Sequence, residues 1–112
     1  MKYIVCEKPH EFKSKEKPMP EPKEGEVLLK IKRIGVCGTD IHAYGGTQPY
    51  FEYPRVLGHE LAAEYIKGNA VGFNPGDKVT LIPYFNCGEC VACRNGLTNC
   101  CANIKVFGVH ID

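Results

Sequence analysis

No apolar run in this sequence extends beyond a few residues, so no segment offers the ~20 apolar residues that a membrane-spanning helix needs. The opening Met1-Lys2-Tyr3-Ile4-Val5-Cys6-Glu7 is charged again at Glu7, too soon for the apolar stretch of a secretory signal. Neither sign of charge dominates. Fourteen Lys and Arg against thirteen Asp and Glu leave a formal charge of +1. That balance gives no electrostatic ground for a nucleic-acid or membrane partner. Sustained helical periodicity, internal repeats and low-complexity tails are lacking too, as is any G-x-G-x-x-G after a strand, the usual cradle for a dinucleotide. At 112 residues the chain is expected to form one domain, and the cytoplasm is its expected compartment.

What is present reads as short strands between turns. Residues 2–7 suggest an opening strand, and a charged, proline-rich surface connection is expected from Lys13 to Lys23, where Pro18, Pro20 and Pro22 forbid helix and central strand. Val27 to Ile34 alternates, with Val27, Leu29 and Ile31 on one face and Lys30 and Lys32 on the other. A helical turn is expected over Asp40–Tyr44, strands over Val56–Ile66 and Lys78–Pro83, and a β-rich run over Ile104–Ile111. Asn74-Pro75-Gly76-Asp77 is a turn by composition. Many short strands with turn signals predict a small β-barrel or sandwich.

Seven cysteines are the unusual abundance, and five of them fall between Cys87 and Cys101. The number is odd, and with no secretion signal clustered cysteines read as metal ligands before disulfides. Cys87, Cys90 and Cys93 form two overlapping C-x2-C steps, and Cys100 and Cys101 both follow as possible fourth ligands. Four thiolates would satisfy a zinc ion and leave no position for substrate, which makes the site structural. An iron–sulfur centre is the competing chemistry.

A second constellation is dispersed. Gly35-Val36-Cys37-Gly38-Thr39-Asp40-Ile41-His42 and Gly58-His59-Glu60 are each commonplace alone. Together Cys37, His59 and Glu60 offer three ligands of graded softness, as a catalytic zinc with one open position requires.

The order G-V-C-G-T-D-I-H, Y-P-R-V-L-G-H-E, G-F-N-P-G-D-K-V and C-x2-C-x2-C-x7-C resembles the zinc-containing medium-chain alcohol dehydrogenases, and among them the polyol, threonine and sugar-acid branch. The resemblance covers essentially the whole chain. It implies a mainly β, GroES-like, partly open β-barrel with short helical turns and a zinc-binding loop, normally followed by a Rossmann domain that is not in these residues. It further implies that Cys37 and His59 hold a catalytic zinc, that Glu60 binds or approaches it, and that Asp40 holds the ring of His59 from behind. Thr39 would hydrogen-bond the substrate oxygen and His42 would end a proton relay. Cys87, Cys90, Cys93 and Cys101 would hold a structural zinc, which favours Cys101 over Cys100. NAD or NADP would be the cofactor of the full-length protein, a small-molecule alcohol or polyol its substrate, and a homo-oligomer its assembly. The chain alone is expected to lack dehydrogenase activity.

The segment Ile66–Val71 is shorter than the family's usual turn. The loop Gly46–Phe51 resembles the sugar-acid and polyol branch, with Tyr44, Tyr50 and Phe51 as candidate pocket residues. A rival function is a stand-alone zinc-stabilised β module that binds a protein partner without catalysis. It needs only the four cysteines and leaves Cys37, Thr39, His42, His59 and Glu60 without a purpose. A co-chaperonin reading rests on fold alone, which does not imply function.

Overall fold

The computed structural model describes residues 1–49 and 51–112. Strands dominate, in three small sheets that do not close on one another. A hairpin pairs β1 (Lys2–Lys8) with β2 (Glu11–Glu16), turning through Pro9 and His10, the latter at φ 64°. The expected surface connection thus starts later than its composition suggests. Lys13–Glu16 are taken up by the edge of β1, where the backbone groups find partners, and only the proline-bearing part beyond remains outside the sheet.

A three-stranded antiparallel sheet forms the middle, with β4 (Glu60–Gly68) between β3 (Val27–Gly35) and β5 (Lys78–Thr80). The expected alternation in β3 is broken. Its register against β4 shifts between Leu28 and Leu29 and again between Ile31 and Arg33. Each irregularity displaces the side-chain alternation, so Val27 and Ile31 stand well exposed while Leu28 and Leu29 are half-buried. The strand expected from Val56 begins only at Glu60; ahead of it Arg55 pairs with Cys6 through both backbone groups. The turn before β5 is as composed: Asp77 N–H donates to the Asn74 carbonyl at 3.0 Å, and Asn74 N–H to Asp77 Oδ2 at 2.8 Å.

Among the described residues two short helices interrupt the strands, α1 (Gly38–Gly45) and α2 (Val91–Arg94), with a 3-10 turn at Thr98–Cys100. The last sheet is β6 (Tyr84–Phe85) against β7 (Lys105–Val106). The β-rich run expected over Ile104–Ile111 shrinks to β7. Beyond it the backbone folds back on itself, with Gly108 N–H donating to the Ile111 carbonyl and His110 N–H to the Val106 carbonyl.

The buried core is small: Val5, Cys6, Ala43, Ala63, Tyr65, Cys101 and Val106. A radius of gyration of 15.5 Å exceeds the roughly 13 Å expected of a compact chain this long, and the extents of 41 × 39 × 22 Å describe a slab. Ile34, Val36, Ile41 and Ile82 stay more than half exposed on it. Among the described residues, no helix is long and apolar enough to cross a membrane.

Candidate metal centres

Antiparallel pairing places the first centre. Gly35, the last residue of β3, lies opposite Glu60, the first of β4. The chain leaving β3 and the chain entering β4 therefore meet at one end of the sheet, where Cys37 caps the N-terminus of α1 and His59 stands just before β4. Cys37 Sγ and His59 Nε2 are 3.2 Å apart. Asp40, in the first turn of α1, accepts the Cys37 N–H on Oδ2 at 3.0 Å, which holds the helix start against the cysteine. Its other oxygen, Oδ1, is buried without a hydrogen-bond partner among the described residues and faces the equally unpartnered His59 Nδ1 at 3.8 Å. Cys37, Asp40 and His59 thus form one cluster whose donor atoms all lie within 4.8 Å of one another.

Glu60 stands apart from this cluster. Its cross-strand partner is glycine, and its side chain lies over the bare Gly35 backbone, where a Cβ would come within 2.9 Å of Glu60 Cβ. Among the described residues Asp40, and not Glu60, stands with Cys37 and His59, on the Nδ1 side of the ring. Thr39 is half-buried in the first turn of α1, and among the described residues its hydroxyl makes no hydrogen bond. Among the described residues His42 makes no hydrogen bond to Thr39. Its Nδ1 is 2.9 Å from Thr47 Oγ1, a partner that sequence reasoning missed. The Gly45-Gly46 step was the available signal, since Gly46 at φ 75° ends the helix and turns Thr47 back toward His42. Tyr44 stacks on Phe12 and lines a cavity with Asp40 and Gly58, Phe51 packs on Tyr53, and Tyr50 lies outside the described residues.

The second centre is closed by β6 and β7. Their pairing brings the residues just beyond β6 and just before β7 together, so Cys87 N–H donates to Cys101 Sγ at 3.3 Å and the two sulfurs sit 3.5 Å apart. Cys87, Cys90, Cys93 and Cys101 form a four-sulfur cluster with every pair within 4.8 Å. Cys101 is buried, whereas Cys100 is exposed and outside the cluster. Backbone amides point at the sulfurs: Cys90 N–H to Cys87 and Asn103 N–H to Cys101. The N–H groups of Cys93 and Ala102 pull the Cys90 thiol down to about 6. Burial, and then the neighbouring Cys90 side chain, push Cys93 up to about 11.

Both donor sets fit zinc. Tetrahedral zinc with Zn–S of about 2.3 Å separates its sulfurs by roughly 3.8 Å, near the Cys87–Cys101 spacing. A sulfur and a nitrogen on the same ion sit about 3.5 Å apart, so Cys37 and His59 need to open by only a few tenths of an ångström. The paired orphan atoms behind His59 are the arrangement that fixes the tautomer of a metal-binding imidazole.

Residues 23–109 match the alcohol dehydrogenase GroES-like domain. The chain belongs to that family. L-galactonate-5-dehydrogenase of Escherichia coli K12 is 48% identical over the whole of this chain, which covers 34% of that protein. Galactitol-1-phosphate dehydrogenase from Escherichia coli superposes with a TM-score of 0.88 at 29% identity, over 100% of this chain and 33% of its own. A Sinorhizobium meliloti 1021 protein described as a zinc-binding dehydrogenase, solved bound to NADP, gives 0.87 at 31% identity, with 99% of this chain and 33% of its own covered. The chain thus spans about a third of the length of the relatives it matches. The GroES-like reading of the fold holds, and the sheets stay open, as an incompletely closed barrel would leave them.

Proposed function

We propose that this GroES-like chain is the zinc-binding catalytic portion of a dehydrogenase that oxidises a secondary alcohol, polyol or sugar acid with NAD or NADP. The observation that carries the reading is the coexistence of two unlike donor sets: four sulfurs that close on themselves, and the Cys37–His59 pair backed by Asp40. The first completes a tetrahedral ion and serves structure; the second leaves coordination positions for other groups. A protein-binding module needs only the first, and the named relatives are dehydrogenases of a sugar acid and a sugar-alcohol phosphate.

Zinc at the open site would supply Lewis-acid polarisation of a substrate oxygen, and a nicotinamide the hydride acceptor. The chain's own residues supply the rest. Cys37 and His59 hold the ion, while the Asp40 carboxylate keeps His59 Nδ1 protonated and Nε2 free to bind. Thr39, with its hydroxyl uncommitted among the described residues and two residues beyond Cys37, hydrogen-bonds the substrate oxygen. The hydrogen bond between His42 Nδ1 and Thr47 Oγ1 leaves Nε2 of this exposed ring free to exchange a proton with solvent at the end of the relay.

The nucleotide-binding unit and any further ligand come from polypeptide outside these residues. The exposed Ile34, Val36, Ile41 and Ile82 are surface for that polypeptide to cover. A cytoplasmic homo-oligomer acting on a small molecule completes the proposal. Metal content per chain tests it, on protein purified without chelator beside a Cys37→Ala/His59→Ala double variant. Two zinc ions in the parent and one in the variant support the open site, and one in both overturns it.

A further inference from the structure

We propose that the turn after β7 acts as a clamp that positions His59, with Gly108 and Asp112 as its positioning residues. The inference rests on the zinc reading only for the ion that His59 serves; the clamp itself stands on contacts to the segment ahead of it.

Two separate contacts converge on residues 55–58. Gly108, buried at φ 72°, lies flat against Gly58, the residue before His59. A Cβ on Gly108 would come within 2.5 Å of the Gly58 carbonyl oxygen, 2.8 Å of its nitrogen and 2.9 Å of its carbonyl carbon. All three are rigid backbone atoms, so the two chains could not stay where they are. On its other side Gly58 meets Ile34, whose Cγ2 would stand 2.6 Å from a Cβ there. The peptide feeding His59 is therefore wedged between β3 and the turn. Further along the turn, Asp112 Oδ1 accepts the Val56 N–H at 3.0 Å and Arg55 Nη1 at 3.2 Å. The turn between these contacts is itself braced, with Gly108 N–H on the Ile111 carbonyl at 2.8 Å and Val106 N–H on His110 Nδ1 at 3.2 Å.

His59 has no strand pairing to fix it, since β4 begins one residue later. Its backbone position therefore depends on what holds residues 55–58, while Cys37 and Asp40 face its ring. The same turn continues directly from β7 and Cys101, so the clamp also ties the four-sulfur lobe to the Cys37–His59 pair through a few residues of chain.

The test compares Gly108→Ala with Gly72→Ala. Gly72 also has a left-handed backbone, φ 85°, but nothing stands within 4 Å of the added methyl. Both variants carry the same kind of backbone strain and only Gly108→Ala drives the two chains apart. Cobalt titration, with the Cys–His and four-thiolate absorption bands followed separately, is expected to show a loss of at least about tenfold in affinity at the open site of Gly108→Ala, with the four-thiolate band retained. Gly72→Ala is expected to titrate like the parent. Equal behaviour of the two variants at the open site overturns the clamp. If Gly108→Ala does not fold, Asp112→Ala decides instead, since it removes the acceptor of both contacts: a weaker open site supports the clamp, and unchanged affinity overturns it. Should the parent bind no cobalt at Cys37 and His59, the zinc reading fails by itself. The His59 imidazole nitrogen shifts of the metal-free chain then judge the clamp, which requires them to move in Gly108→Ala and not in Gly72→Ala.

Discussion

Asp40 and His59 each bury an unpartnered polar atom, and the two atoms face each other across 3.8 Å. A buried carboxylate oxygen and a buried ring nitrogen left in this way are costly unless something draws them together. An ion on the opposite ring nitrogen would do so, because it requires Nδ1 to carry the proton that Asp40 accepts.

Asp40→Asn keeps an oxygen for the Cys37 N–H but removes the charge behind His59. Metal affinity at the open site is expected to fall about 10–100-fold with little change in the four-cysteine site. Competition with a chromophoric chelator measures it; an unchanged affinity would show that Asp40 serves only the helix start.

Cys100 and Cys101 are neighbours in sequence with opposite fates. Cys101→Ser is expected to lose the structural ion, and Cys100→Ser to keep parental metal content, because only Cys101 reaches the other three sulfurs. Elemental analysis of the two purified variants separates them. Loss of the ion from Cys100→Ser would move the fourth ligand by one residue.

The four-cysteine site should bind more tightly as pH rises. Thiolates are the ligands, so protons compete with the ion. At neutral pH Cys90, held down to about 6, has already lost its proton, whereas Cys93, held up to about 11, must surrender one to the metal. Apparent affinity is therefore expected to fall as pH falls, and more steeply below about 6, where Cys90 also takes up a proton. Chelator competition at pH values on both sides of that point checks the slope, and a pH-independent affinity would contradict it.

Tyr65 is the largest side chain in a thin core, buried against Phe73, with its hydroxyl accepting the Ala70 N–H at 3.4 Å. Truncation to alanine is expected to cost about 3–5 kcal/mol, as large aromatic deletions do. Tyr65→Phe, which removes only the hydroxyl, should cost about 1 kcal/mol. Urea denaturation of the zinc-loaded chain ranks the two.

Residue type and short spacing carried most of the chemistry. Cys87, Cys90 and Cys93 are bound to meet because the C-x2-C step fixes how far apart two thiols can stray, whatever surrounds them. The turn at Asn74–Asp77 and the centre of β3 were legible for the same reason: a few neighbouring residues suffice to specify them. Contacts across long sequence separations were decided by tertiary structure. Pairing of Gly35 with Glu60 brought Cys37 to His59, and the β3 irregularities undid an alternation that the sequence displays plainly. Only packing could show that Gly108 lies on Gly58, because nothing in the sequence of either glycine says which backbone it must approach. Local chemistry is written in side chains and spacing; which distant surfaces meet depends on strand register and on which shapes fit.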